Sequence, residues 1–194
     1  MSNNLQRILF AAVAIPVALG VVYFGGWLLA ALVVLIAVLG ANELVALARK
    51  QGIHPLTAHV LVISAVIPAG VWITYGGTIA TWGGLDWVEL LPSTWYALAG
   101  TAIWILTVTL ICRAPTERPL SVAAISLLAP LYCAVLPSFL LGIRYATGPE
   151  RSWPATWAVF FPLAITWICD SAAMYAGKAI GGPKLAPVVS PGKT

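Results

Sequence analysis

Charged side chains are scarce in this sequence, and their scarcity excludes a water-soluble globular fold. Ten lysines and arginines and six aspartates and glutamates make up only 8% of the 194 residues, whereas 61% are hydrophobic. A soluble domain carries about a quarter charged residues, because its surface must stay hydrated. The uncharged tracts between these few charges are long enough to match the thickness of a lipid bilayer. The sequence therefore predicts an integral membrane protein.

Cysteine and histidine are also rare, which argues against a disulfide framework or a structural zinc site. The three cysteines lie apart in apolar tracts without a CxxC pair, so we interpret them as small hydrophobic side chains. His54 and His59 flank Pro55 at a spacing that places them on different faces of any helix. They make a poor zinc pair.

The apolar tracts predict six membrane spans. The first uncharged tract, residues 8–42, would extend ~52 Å as one helix, well beyond a ~30 Å hydrocarbon core, so it must fold back, and Gly25-Gly26 is the expected turn. Prolines inside the later spans are tolerated, since neighbouring helices and waters satisfy the freed carbonyls. We predict an all-α integral membrane protein in which residues 1–194 form one polytopic domain, with spans at Ile8–Phe24, Trp27–Leu47, Val60–Tyr75, Ser93–Cys112, Pro119–Tyr145 and Trp153–Gly177.

The distribution of basic residues predicts the orientation. With six spans, eight of the ten bases fall on the side that holds both termini, and only Arg144 and Arg151 fall on the other. Basic residues concentrate in cytoplasmic loops. Both termini are therefore expected in the cytoplasm, in a bacterial-type inner membrane.

Two acidic residues near the cytoplasmic ends of spans are candidate functional groups. Glu43 either reaches the interface or faces the interior of the helix bundle. Asp170 follows the apolar run 159–169 and precedes Lys178 by eight residues, or ~12 Å of helix rise. A carboxylate at such depth is costly in lipid, so we expect Asp170 to face protein, water or a cation, with a buried pair to a neighbouring helix as the structural alternative. Ala173 and Gly177 share its face and would let a ligand or helix approach closely.

The last residues suggest phosphate binding without forming a P-loop. The ending Gly192-Lys193-Thr194 would complete that motif only if glycine stood at position 187, where the sequence has Pro187. Lysines and glycine-rich turns in residues 177–194 can still bind anions through side-chain charge and backbone N–H groups. The positive-inside rule alone would also place lysines here.

The segment from Asp170 to Thr194, DSAAMYAGKAIGGPKLAPVVSPGKT, resembles the phosphatidate cytidylyltransferases, or CDP-diacylglycerol synthases. In that family an aspartate, a small residue and an aromatic are followed by Gly-Lys, a glycine-containing turn, Lys-Leu and Ser-Pro-x-Lys-Thr. The family pattern then continues into a further membrane region with a His-Gly-Gly turn, which this sequence does not contain. We therefore expect the chain to be a fragment of a longer product, with residues 170–194 opening its cytoplasm-facing catalytic region.

The resemblance implies an enzyme that joins CTP and phosphatidate to give CDP-diacylglycerol and pyrophosphate in phospholipid biosynthesis. It implies Mg²⁺ as cofactor, CTP, phosphatidate and membrane lipid as partners, no nucleic acid, and a homodimer as an alternative to a monomer. The roles it implies are cation binding or lysine orientation by Asp170, catalytic phosphate contact by Lys193, and substrate binding by Lys178, Lys184, Ser190, Pro191 and Thr194. Two alternatives stay open, namely a non-enzymatic transporter or scaffold and an inactive relative.

Overall fold

The described part of the chain consists of helices joined by short connecting segments. A computed structural model describes residues 3–75, 94–146 and 151–181, and within these ranges it contains no strand. Long apolar sequences form helices in a membrane because every backbone polar group can be satisfied within the segment. The α-helices are α1 (Asn3–Phe24), α2 (Gly26–Lys50), α3 (Thr57–Tyr75), α4 (Thr94–Cys112), α5 (Pro119–Pro130), α6 (Leu136–Ala146) and α7 (Trp153–Ile180).

Each predicted span coincides with helical structure, although the fifth one is interrupted. A π-helical turn, Leu131–Val135, joins α5 to α6, and the Leu136 N–H donates to the Leu131 carbonyl. Pro137 has no N–H with which to serve the carbonyl four residues earlier, and one wider turn is a common response to such a defect. The sequence predicted one span here with prolines inside it, and the structure adds the π-helical turn within that span.

Three helical segments in the described ranges are long and apolar enough to cross a membrane: Gly26–Lys50, Pro119–Tyr145 and Trp153–Gly177. Three shorter apolar helices, Ala12–Phe24, Thr57–Ile73 and Ala99–Cys112, accompany them. These segments identify a helical membrane protein. The number of six crossings and the location of the termini remain predictions.

The predicted reversal at Gly25-Gly26 is confirmed. Helix α1 ends at Phe24 and α2 begins at Gly26, so the two helices form a tight hairpin. Gly25 has φ 62° and ψ −136°, and Gly26 has φ 56°. This part of conformational space is accessible to glycine at little cost, which explains why the fold-back occurs at this pair.

Helix α2 supplies the centre of the bundle. Its buried side chains recur every three or four residues and form one stripe: Leu29, Val33, Ala37, Ala41, Val45 and Ala48. The small alanines let α3, α5 and the π-helical turn approach closely. The polar side chains Asn42 and Glu43 lie off this stripe and are exposed.

Contacts between helix termini define two ends of the bundle. At the turn end, where α1 meets α2, Tyr23 packs against Trp153 with ring centroids 4.7 Å apart. At the loop end, segments 51–56 and 113–118 meet, and Arg113 Nη2 donates to the His54 carbonyl at 3.1 Å. The Leu56 N–H donates to Ser126 Oγ at 3.0 Å, which ties the start of α3 to α5. Successive spans therefore run in alternating directions, with α5, the π-helical turn and α6 counted as one span.

Arg144, near the C-terminal end of α6, is fully buried at the turn end. Its Nε donates to the Val22 carbonyl at 2.8 Å and its Nη2 donates to the Tyr23 carbonyl at 3.1 Å. These carbonyls belong to the last turn of α1, where no following helical N–H can reach them. The sequence-based prediction used Arg144 only as one of the two bases on the side opposite the termini, and that side stays a prediction. The structure shows in addition that its guanidinium closes the end of another helix.

Candidate functional site

Asp170 lies on the outward surface of α7. The N-terminal half of this helix packs into the bundle through buried Ala155, Thr156 and Val159, whereas residues 161–176 are exposed apart from half-buried Ala164. Within the described ranges the Asp170 carboxylate has no hydrogen bond and no ion pair. Within these ranges, Asp170 is therefore not a buried acid paired to a neighbouring helix.

The surface around Asp170 is open, as its small neighbours predicted. Ala173 is exposed and Gly177 is half-buried, and both follow Asp170 on the same side of α7 at helical spacing. The nearby side chains Trp167 and Ile168 are more than half exposed and apolar. Asp170 is thus an acid on an apolar helix whose flank can receive a ligand, a lipid or another protein segment.

Asp170 and Lys178 lie on the same helix, α7, at the spacing that the sequence predicted. Both backbones belong to one continuous helix, so eight residues separate them by ~12 Å of rise. The Lys178 side chain lies outside what the structure describes. The helix then ends at Gly181, whose φ of 67° and ψ of −162° suit glycine and whose N–H donates to the Gly177 carbonyl.

Most of the candidate site residues fall beyond Gly181. Lys184, Ser190, Pro191, Lys193 and Thr194 lie outside the described residues, so their predicted roles in phosphate binding and catalysis stay predictions. The glycine-containing turn expected between Lys178 and Lys184 stays a prediction as well, because residues 182–184 lie outside the described ranges.

The described residues present Asp170 as a lone candidate ligand for a cation. Among them, no group of three or more histidine, cysteine, aspartate or glutamate side chains could hold a metal ion. Mg²⁺ in nucleotide sites is commonly held by one or two carboxylates together with substrate phosphates, so a single aspartate fits that mode of binding. It does not fit a metal site built from protein ligands alone.

Glu43, the second acidic candidate, faces away from the bundle interior. It shares a shallow pocket of about 230 Å³ on α2 with Ala46, Leu47 and Lys50. Of the two interpretations left open by the sequence, the outward one is correct. Lys50 entered the sequence analysis only as a base that sets orientation, although its position seven residues after Glu43 places both on one helix face.

A comparison with models of known protein families identifies the family of this chain. The profile described as "Cytidylyltransferase family" matches residues 5–194, which is nearly the whole sequence and all seven helices. The chain belongs to the cytidylyltransferase family. The resemblance seen in residues 170–194 is thereby confirmed at the level of the family.

Several curated proteins that are similar to this chain share the same name. A protein from Synechocystis named phosphatidate cytidylyltransferase is 26% identical over 97% of this chain, which covers 65% of the relative. One of the same name from Brucella suis is 53% identical over 19% of this chain and 13% of the relative, and one from Chlamydia pneumoniae is 27% identical over 57% and 37%. The chain thus spans less than two thirds of the length of these relatives. No solved structure shows significant similarity to it.

Proposed function

We propose that this chain belongs to a phosphatidate cytidylyltransferase, which transfers the cytidylyl group of CTP to phosphatidate and produces CDP-diacylglycerol for phospholipid biosynthesis. The observation that carries this proposal is the family match over residues 5–194. A relative of that name aligned with 97% of the chain supports it. Membrane-length apolar helices suit a reaction in which one substrate is a lipid.

In the proposed reaction a phosphate oxygen of phosphatidate attacks the α-phosphorus of CTP. The bond from the α-phosphorus to the oxygen bridging it to the β-phosphorus breaks, and pyrophosphate leaves. Both reactants are anions, so catalysis depends on positioning and charge neutralisation more than on a side-chain nucleophile. A magnesium ion, when bound, would neutralise part of the phosphate charge, and Asp170 is the described residue whose carboxylate suits it.

The proposed roles of the remaining residues follow from their chemistry. Lysine ammonium groups bind phosphates as mobile point charges, and hydroxyl groups donate hydrogen bonds to phosphate oxygens. Pro191 restricts the backbone φ of the turn that aims its neighbours. We assign phosphate contact to Lys184 and Lys193, attraction of the anions to Lys178, and hydrogen-bond donation to Ser190 and Thr194.

We also propose that the reaction takes place on the cytoplasmic side of a bacterial-type inner membrane. The count of basic residues supports this orientation, because the loop end of the bundle carries Arg49, Lys50, Arg113 and Arg118. Helix α7 starts at the opposite end and runs ~26 Å from Trp153 to Asp170, which brings the acid toward the same side. A homodimer belongs to the proposal as well, since residues 161–176 of α7 offer an uncovered surface.

The proposal is tested in membranes containing the full-length product of the gene. Labelled CTP, phosphatidate and magnesium should give a lipid-soluble labelled product. Asp170→Asn should lower the rate by about a hundredfold, because it removes the carboxylate charge proposed to hold the magnesium ion that neutralises the reacting phosphates. Glu43→Gln makes the same chemical change on an outward face of α2 and should retain the rate.

No labelled lipid from a well-folded protein would overturn the assignment. A transporter or scaffold would instead keep its function in Ser190→Ala and Lys193→Ala variants, whereas both changes should impair the transferase. Equal losses in Asp170→Asn and Glu43→Gln would contradict the role given to Asp170 and leave the reaction itself supported.

A further inference from the structure

A polar pocket at the loop end has not been used by the proposed reaction. Segments 51–56 and 113–118 enclose about 330 Å³, and we call this space the loop pocket. Its volume lies at the lower end of the range for small-ligand sites. The side chains that matter for its chemistry are His54, Arg113, Thr116, Glu117 and Arg118.

Arg113 is held in a fixed orientation at this pocket. Its Nη1 donates to Glu117 Oε1 at 3.2 Å, and its Nη2 donates to the His54 carbonyl at 3.1 Å. The Nε atom is buried and has no hydrogen-bond partner among the described residues. Such an unsatisfied buried donor is costly, and it shows that the described residues do not satisfy all the N–H donors of Arg113.

Glu117 does not neutralise the pocket. Its Oε2 accepts the Ala114 N–H at 2.9 Å while Oε1 faces Arg113, so both carboxylate oxygens are engaged by local donors. The lining therefore contains two guanidinium groups against one carboxylate. Positive charge remains after this pairing, and an anion is the complementary ligand.

Arg118 contributes the charge that remains unpaired. Its side chain is exposed and makes no hydrogen bond or ion pair within the described part of the chain. Its backbone lies in the left-handed region, with φ 53° and ψ 57°, which is unfavourable for a side chain with a Cβ. Arginine thus occupies a position whose backbone conformation glycine would adopt more easily. It also immediately precedes the first turn of α5, where the helix dipole favours anions.

From these contacts we infer that the loop pocket binds a phosphate group through Arg113 and Arg118, at a site separate from Asp170. Guanidinium groups present several N–H donors in a plane and suit phosphate oxygens. Arg113 is pre-oriented, and Arg118 supplies the second charge. The phosphate can come from the headgroup of an anionic phospholipid beside the bundle or from a soluble compound in the adjoining water.

Two binding measurements distinguish these sources. In one, the purified protein is placed in phosphatidylcholine nanodiscs with and without phosphatidate, and bound phosphatidate is quantified after extraction. In the other, inorganic phosphate is titrated into protein in phosphatidylcholine nanodiscs and followed by calorimetry. Binding in the first alone identifies a lipid headgroup and binding in the second identifies a soluble phosphate; either supports the site when Arg118→Gly weakens it, because the proposed catalytic region also binds phosphatidate.

The decisive variant is Arg118→Gly, since glycine accepts φ 53° and preserves the turn while removing the charge. Affinity for phosphate should fall by about tenfold, as expected for the loss of a charge-assisted contact. Arg118→Lys should recover part of it. Lys50→Ala removes the same charge at the same end but outside the loop pocket, and should change affinity less than about twofold.

Equal losses in Arg118→Gly and Lys50→Ala would show general attraction to a basic surface and overturn the site. Unchanged affinity in Arg118→Gly, or no phosphate binding in either measurement, would also overturn it. Asp170→Asn should leave this binding intact. Failure of the transferase assay therefore does not affect the outcome here.

Discussion

The two ends of the bundle use arginine in opposite ways. At the turn end Arg144 is fully buried, and its guanidinium donates hydrogen bonds to backbone carbonyls of α1. At the loop end the buried Nε of Arg113 has no hydrogen-bond partner in the part of the chain that the structure describes, and Arg118 extends from an unfavourable backbone conformation. A structural arginine therefore differs from a candidate binding residue in whether its N–H donors have hydrogen-bond partners, more than in whether the side chain is buried.

The largest expected effect is at Arg144. Arg144→Leu leaves the Val22 and Tyr23 carbonyls without their donor, and each unsatisfied buried acceptor costs about 1–3 kcal/mol. Relief of the arginine's own burial offsets part of this loss. We expect the free energy of unfolding to fall by about 3 kcal/mol, measured by reversible SDS titration of the micelle-bound protein.

Arg151 provides the control at the same end. It is exposed, its guanidinium lies 6.0 Å from the Phe24 ring, and its φ is 55°. Arg151→Asn removes the charge with a residue that tolerates this φ, so it should cost less than about 1 kcal/mol. If both variants lose the same stability, the turn end does not depend on the carbonyl contacts of Arg144.

Local signals in the sequence were sufficient for the helices. Apolar tracts located every described helix to within a few residues, and the glycine pair at 25 and 26 located the first reversal. Both signals act through nearby residues, because bilayer thickness sets the length of a span and glycine permits the turn. The π-helical turn before Leu136 was missed, since proline does not by itself specify how a helix adapts.

The environment of the charged side chains could not be predicted in the same way. Counting bases assigned Arg113 and Arg144 to opposite sides but gave neither a contact. In the structure Arg144 binds carbonyls about 120 residues earlier in the sequence, and Arg113 contacts a carbonyl 59 residues away. These contacts depend on which helix ends meet in three dimensions. For the candidate site, the sequence predicted an accessible face around Asp170, while residues 182–194 lie outside the described ranges.

A smaller effect on the free energy of unfolding is expected at two serines. They test the contrast between buried groups with and without a hydrogen-bond partner. Ser126 and Ser64 are both fully buried, but only Ser126 Oγ has a partner, the Leu56 N–H at 3.0 Å. Ser126→Ala removes the acceptor at the start of α3 and should cost about 1 kcal/mol of unfolding free energy.

Ser64→Ala is the matched control. Its hydroxyl has no partner among the described residues, so removing it should leave stability within about 0.5 kcal/mol or raise it. SDS titration of the two variants side by side measures the difference. A Ser64→Ala loss as large as that of Ser126→Ala would contradict the importance of hydrogen-bond satisfaction.

The smallest expected effect is a pH dependence at the loop end. The Ala114 N–H donates a hydrogen bond to the Glu117 carboxylate, and the Arg113 charge lies nearby. Both lower the pKa of this carboxyl below its usual value of 4.5. A group whose pKa is lowered on folding stabilises the folded state above its unfolded pKa, and this contribution disappears as pH falls through the folded pKa. Hydrogen exchange at the Ala114 amide, corrected for its intrinsic pH dependence, should therefore lose protection below the usual glutamate range. Glu117→Gln should abolish that transition, and an unchanged transition in this variant would assign it to another group.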